Sequence, residues 1–293
     1  MAPDQSRSFL DLPHRSAKPR ERGITHVLDR GLSLAEVDGL IEVIGDAVDI
    51  VKLGWGTALA TGNLDDKLER YRAFDIPVVL GGTLTEIAIG QGRVDGLIGW
   101  LRELGLSHVE VSDGTIALPR QDKVALIERL AGEFTVFSEV GSKDIATADV
   151  TPPYVFVEEI QEELAAGAWR VILEGRETGT AGIYRADGQP RMGLIEEVLH
   201  SIEIDKLLFD APRKDQQVWF LQRFGPEVNF GNIAPDDVLP LETLRLGLRS
   251  DTVQRLGPGS GAPASAPTPP TPGSDAQRSA QPPPPPPSTP GGS

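Results

Sequence analysis

Short apolar runs rich in Val, Ile and Leu alternate along the chain with longer segments whose apolar residues recur every three or four positions. The first kind of run reads as a buried strand and the second as an amphipathic helix, and their regular alternation marks repeated βα units around a parallel sheet. Eight strands are predicted: Ile24 to Asp29, Asp49 to Leu53, Pro77 to Leu80, His108 to Ser112, the run that opens at Thr135, Trp169 to Glu174, Lys206 to Asp210, and Glu227 to Phe230. Each is followed by a predicted helix: Ser33, as its N-cap, to Gly45; Asp65 to Phe74; a stretch ending near Gly105; Gln121 to Ala131; Tyr154 to Ala166; Leu194 to Ser201; Gln216 to Phe224; and Pro235 to Arg249. Pro152 and Pro153 suit the start of the fifth helix, where a missing N–H costs nothing.

Eight such pairs predict a (β/α)8 TIM barrel, whose usual size is about 250 residues. The runner-up is a doubly wound open sheet, which more often carries five or six strands and a glycine-rich dinucleotide fingerprint after the first. Gly54-Trp55-Gly56 does not supply that fingerprint, because Leu59 stands where its third glycine belongs.

Composition changes the picture at both ends. Residues 1–22 are polar, with several Arg and Pro, and read as a disordered leader rather than a secretory signal. Residues 257–293 turn to Gly, Pro, Ser, Ala and Thr, with six consecutive prolines from Pro282 to Pro287, and read as a disordered, solubilising tail. The barrel domain is placed at residues 23–256. A formal charge of −15 repels nucleic-acid backbones and anionic membranes, so neither is an expected partner. No apolar run is long enough to span a bilayer, and a cytoplasmic location is expected. The chain has no cysteine, which excludes disulfides, thiolate catalysis and thiolate-bound metals.

The chemistry recurs at one place in the pattern. Six predicted strands end in a charged residue: Asp29, Lys52, Glu110, Glu139 (with Lys143 four positions on), Glu174 and Asp210. The functional face of a parallel barrel is where its strands end, and alternate residues point inward. Glu110 and Ser112 share a face opposite Val109 and Val111, and Glu174 lies opposite Leu173. Taken singly, each carboxylate reads as an ion pair or helix cap; together at one mouth they read as a site. Such a cluster needs cations. Lys52 and Lys143 supply two, and with no cysteine and four histidines a further one is expected to be an oxygen-bound Mg2+ rather than zinc. His26 and His200 are expected to be structural, and Trp55, Trp100, Trp169 and Trp219 are expected to be packing residues, with pocket lining the alternative for Trp55 in its glycine loop. The loop Gly175 to Gly188 has the length and glycine content of a lid. Anion-binding candidates are Arg176 in the loop after strand six, Arg213 and Lys214 after strand seven, and Asn232 after strand eight.

The runs Val51-Lys-Leu-Gly-Trp-Gly-Thr57, Gly81-Gly-Thr83, Val109-Glu-Val-Ser-Asp-Gly114, Glu139-Val-Gly141 with Lys143, Glu174-Gly-Arg-Glu177 and Leu241-Glu-Thr-Leu-Arg-Leu-Gly-Leu-Arg249 strongly resemble the phosphosulfolactate synthase family, in the same order from about Gly23 to Thr252. The resemblance implies a (β/α)8 barrel and a magnesium-dependent addition of sulfite to phosphoenolpyruvate, giving 2-phospho-3-sulfolactate on the way to coenzyme M. It also implies that Lys143 is the general acid. On that reading Lys52 is the alternative donor or neutralises the substrate carboxylate, and Glu110, Glu139 and Glu174 are the expected metal ligands, direct or through water. Arg176, Arg213 and Lys214 would hold phosphate and sulfite, with Asn232 and Ser112 completing the substrate-binding set; a homo-oligomer is left open.

Two places depart from the family pattern. Asp210-Ala-Pro-Arg213 stands in place of Glu-Ala-Pro-Gln, and Phe230-Gly231-Asn232 in place of Leu-Ala-Asn. Both lie at the mouth, so the reaction type is a firmer expectation than the substrate. The family also includes plant heat-stress-associated homologues. A protective, non-catalytic barrel and an enol-phosphate addition with another nucleophile are therefore the alternatives.

Overall fold

A computed structural model describes residues 9–141 and 151–257. Side chains alternate across each strand, and that alternation divides the apolar residues between two cores. Ile24, Ile50, Val79, Phe137, Ile172 and Leu208 point inward and pack together inside the sheet. Val27, Val51, Val78, Val109, Val136, Val171 and Leu207 belong to the larger outer core, against the helices. A sheet buried on both faces must be covered all round, and here it closes on itself.

The strands are β1 Thr25–Asp29, β2 Ile50–Leu53, β3 Val78–Leu80, β4 His108–Val111, β5 Thr135–Val140, β6 Ala168–Leu173, β7 Leu207–Asp210 and β8 Phe230–Ile233. They pair in parallel in chain order, and β1 joins β8 to complete a closed barrel. This is the (β/α)8 TIM barrel that the strand count predicts, and a closed cylinder rules out the open doubly wound sheet. Among the described residues no helix is long and apolar enough to cross a membrane.

Local chemistry sets the helix boundaries. Ser33 caps helix Leu34–Ile44 in a reciprocal capping box with Glu36, as its position predicts. The stretch expected to end near Gly105 is two helices, Gly82–Gly90 and Val94–Glu103, separated by Gly92 at φ 62°. The last predicted helix is shorter, Val238–Arg245, and stops before Gly247 at φ 65°. Strand eight lies three residues later than Glu227–Phe230. Asn229 is occupied by its side chain, which accepts the Ile24 N–H at 3.0 Å and donates to the Leu207 carbonyl at 3.1 Å.

Within the expected leader, the described residues 15–21 make specific contacts. Arg15 pairs with Glu227 and with Glu242 (2.9 Å), Arg20 with Asp49 (2.8 Å), and Glu21 with Arg170 (2.9 Å). Ion pairs to buried and half-buried partners hold this stretch across the strand starts, information that polarity alone does not carry. The Gly175–Gly188 loop is likewise tied down. Buried Gln216 donates to the carbonyls of Gly179 (2.8 Å) and Gly188 (3.1 Å), and the Tyr184 hydroxyl donates to the Asp210 carbonyl. The 257–293 tail lies outside the described residues after Gly257.

Candidate active site

Inward phase carries five charged side chains to the mouth. Lys52 follows Ile50 on β2, Glu110 follows His108 on β4, Glu139 follows Phe137 on β5, Glu174 follows Ile172 past β6, and Asp210 follows Leu208 on β7. All five are buried. Asp29 has the opposite phase, with Thr25 and Val27, and points into the helix layer. There Lys67 Nζ and the Tyr71 hydroxyl each hold it at 3.0 Å.

Lys52 Nζ lies 2.8 Å from Glu110 Oε2 and 3.8 Å from Glu139 Oε2. Burial pushes the Lys52 pKa down, but Glu110, then Glu139 and Asp210, outweigh it and keep the ammonium well above its ordinary value. Glu110 Oε1 also accepts the Gly82 N–H at 2.7 Å, at the start of helix Gly82–Gly90. Residue 82 has to be glycine, since a Cβ there would sit 2.8 Å from Glu110 Oε1 and overlap Ser112.

Glu139 also belongs to a second group, with Glu174 and Asp210. One oxygen each from Glu139, Glu174 and Asp210 lies within 4.8 Å of the others. Burial, then the charge of Glu139, raises the Asp210 pKa to about 7, against the opposing pull of Lys52, of Asn232 Nδ2 at 2.7 Å and of the Gly175 N–H at 3.2 Å. Three crowded, desolvated carboxylates with only oxygen to offer suit a hard divalent cation, which would relieve the repulsion they hold. His26 is excluded from that role. Burial, then Lys52, lowers its pKa to about 3, and its neutral ring accepts the Asn232 N–H at 3.2 Å.

Above the cluster is a cavity of about 660 Å3, lined by Lys52, the four carboxylates, Arg30, Trp55, Arg176 and Asn232 among others. A hollow of about 1100 Å3 lies at the opposite end of the strands, beside Ile50, Pro77, His108 and Trp169. The smaller one holds the chemistry. Of the four non-glycine residues with positive φ among the described residues, three line it: Trp55, Arg176 and Asn232. Left-handed backbone is costly for such residues, and its concentration at one cavity is typical of a functional site.

Of the other sequence candidates, Arg176 and Asn232 line the cavity. Arg213 and Lys214 do not: Arg213 is paired with Asp215 and Lys214 with Asp251, each at 2.8 Å. Ser112 is buried beneath Gly82 and donates to Glu86. Lys143 lies outside the described residues, two positions past Gly141. Two supporting residues carried no sequence signal. Glu86 accepts from Ser112 and from the Thr115 N–H (2.6 Å), fixing the exit of β4. Lys123 donates to the Glu139 carbonyl at 2.7 Å, where the β4–β5 ladder has ended.

A parallel barrel with buried acids around one lysine at the strand ends belongs to the class of (β/α)8 enzymes, which act on small ligands at that face. The sequence comparison names the family. Residues 13–251 match the family model of (2R)-phospho-3-sulfolactate synthase, and the chain belongs to that family of lyase-type enzymes. It is 41% identical over 244 residues to the phosphosulfolactate synthase of Bacillus subtilis, covering 83% of this chain and 97% of that one. Identity is 40% over 248 residues to the phosphosulfolactate synthase of Methanothermobacter thermautotrophicus, covering 83% and 96%. A more distant relative, 23% identical over 269 residues, is the heat-stress-associated protein 32 of Arabidopsis thaliana, with 82% and 91% covered.

Proposed function

We propose that this protein adds sulfite to phosphoenolpyruvate in a Mg2+-dependent reaction that gives 2-phospho-3-sulfolactate. The observation that carries the reading is the convergence of Glu139, Glu174 and Asp210 beside the Lys52–Glu110 pair. Glu139, Glu174 and Asp210 would hold the ion; of the set expected from sequence, Glu110 is engaged instead by Lys52 and Gly82. Bound there, Mg2+ supplies positive charge to the phosphoenolpyruvate carboxylate as electron density moves into it.

The sulfur lone pair of sulfite forms the new bond to C3, the C2–C3 π pair moves toward C2 and the carboxylate, and C2 then takes a proton. Lys52 is an ammonium held by neighbouring carboxylates above its ordinary pKa, which makes it a weak acid and a good anchor. Its part is to hold the substrate carboxylate. The proton donor in this reading is Lys143, re-protonated from solvent after each turnover. Closure of the barrel below the mouth by Ile50, Val79, Phe137, Ile172 and Leu208 keeps water from reaching C2 from beneath.

The test follows loss of phosphoenolpyruvate and sulfite and appearance of product, for wild type with Mg2+, wild type with EDTA, and Lys143→Ala. Turnover only in the first supports the reaction and both assignments. Binding of phosphoenolpyruvate without sulfite consumption points to a different nucleophile. Neither binding nor turnover sinks the enzymatic reading for these substrates and leaves the non-catalytic, protective barrel as the reading to pursue, one distant relative being a heat-stress-associated protein.

A further inference from the structure

Arg30 directly follows β1 and lines the mouth cavity together with Trp55. Its guanidinium carbon lies 5.9 Å from the centroid of the Trp55 ring. Trp55 occupies an unusual conformation, φ 52° and ψ 28°, after Gly54 and before left-handed Gly56. It is also 47% exposed, so core packing does not account for the strained backbone. What that backbone achieves is to set an indole face at the cavity beside Arg30.

The cations that sequence reasoning assigned to anions are largely committed elsewhere. Arg213 is bound to Asp215 and Lys214 to Asp251, and in the reading above Lys52 serves the substrate carboxylate. Among the described residues Arg30 forms no ion pair, and its ring contact is the one interaction found for it. A guanidinium beside an aromatic ring and without a carboxylate partner keeps its N–H groups available, and their planar edge matches two oxygens of a phosphate. Asp236 and Asp237 line the same cavity, so an anion at the rim needs a dedicated cation.

Building on the phosphoenolpyruvate reading, we propose that Arg30, oriented by Trp55, is the residue that binds the substrate's phosphate group. Sulfite is the weaker match. Its sulfur has to reach C3, whereas the phosphate is an ester substituent free to extend to the exposed rim where Arg30 stands.

The experiment compares wild type with Arg30→Ala, Arg30→Lys and Trp55→Leu by calorimetric binding of phosphoenolpyruvate and of inorganic phosphate, and by separate KM values for the two substrates. Losing a charge-assisted pair of hydrogen bonds should weaken phosphoenolpyruvate binding about 10- to 100-fold in Arg30→Ala. The KM for sulfite and the melting temperature should stay as in wild type. Arg30→Lys should recover part of the affinity, and Trp55→Leu should fall between. Equal binding by wild type and Arg30→Ala overturns the proposal, as does parallel loss of affinity for both substrates. A wild type that binds neither phosphoenolpyruvate nor phosphate overturns it as well. A wild type that binds phosphoenolpyruvate through Arg30 but leaves sulfite untouched overturns the proposed reaction and keeps the subsite.

Discussion

Replacing Asp210 by Asn should make the cation-free protein more stable at neutral pH while abolishing its activity. The Asp210 carboxyl is buried beside Glu139, and its pKa rises from 3.8 to about 7. A raised value means that the folded protein holds this proton more tightly than the unfolded chain does. Its contribution to stability is therefore complete below about pH 4, declines as pH rises, and levels off above pH 7. The slope between those limits approaches 1.4 kcal/mol per pH unit, so wild type should lose about 2 kcal/mol relative to Asp210→Asn between pH 5 and pH 7. For a domain of this size that corresponds to about 4–8 °C in Tm. An amide keeps one acceptor for Asn232 Nδ2 or the Gly175 N–H, so a fixed cost of about 1 kcal/mol is set against the gain at every pH. The assay is equilibrium urea unfolding of both proteins in EDTA at pH 5, 6, 7 and 8. The stability difference should grow in favour of the variant up to pH 7 and then stay flat, and added Mg2+ should narrow it. A difference that does not vary with pH would refute the argument that Asp210 carries an unrelieved charge.

Three further outcomes follow from the same geometry. Glu139→Gln should raise the Mg2+ concentration needed for turnover by at least about 10-fold, by analogy with lost metal-site contacts. It should also move the Asp210 transition in the stability profile below pH 7, because the Glu139 charge is what adds to burial there; an unmoved transition would break the link between the two residues. Lys67→Met strands Asp29, which is fully buried, and should cost about 3–5 kcal/mol in urea unfolding. Molecules that remain folded should keep wild-type kcat, because Asp29 faces the helices and not the cavity. Gly182→Ala places a Cβ on the Glu174 carbonyl at φ 60°, and the left-handed backbone alone costs about 1–3 kcal/mol. Thermal melts and Mg2+ titration should both shift, and a shift in only the melt would show that Glu174 keeps its place.

Much of this was legible because strands have a period of two. Glu110, Glu139, Glu174 and Asp210 can be placed inside by counting from His108, Phe137, Ile172 and Leu208. The same count puts Asp29 outside with Val27, so the signal that separates it from the site was present in the sequence. Asp210 was visible as a charged strand end, but its partnership with Glu139 and Glu174 was not. Which carboxylates group around a cation and which one a lysine claims depends on stagger between strands, and no single strand records it. Arg213 and Lys214 sit in the right loop and turn to Asp215 and Asp251, a choice made by side-chain rotamers. The ordering of Arg15 to Arg22 was invisible for a different reason. Its partners, from Asp49 to Glu242, are scattered along the chain, and local polarity is the same whether or not they are met.

The seam between β1 and β8 bears on how the protein is made. Gly23 donates to the Glu227 carbonyl, Phe230 to that of Ile24, and Arg15 reaches Glu242 across 227 positions of sequence. The first strand emerges from the ribosome long before the last. At about 5–20 residues per second, the partners of Arg15 arrive about 10–45 s after it. Through that interval one edge of β1 has no neighbour, and a bare parallel edge is adhesive toward other chains. A chain built this way cannot finish folding piecemeal from its front, and nascent molecules of this barrel should lean on chaperones until the final strand is released.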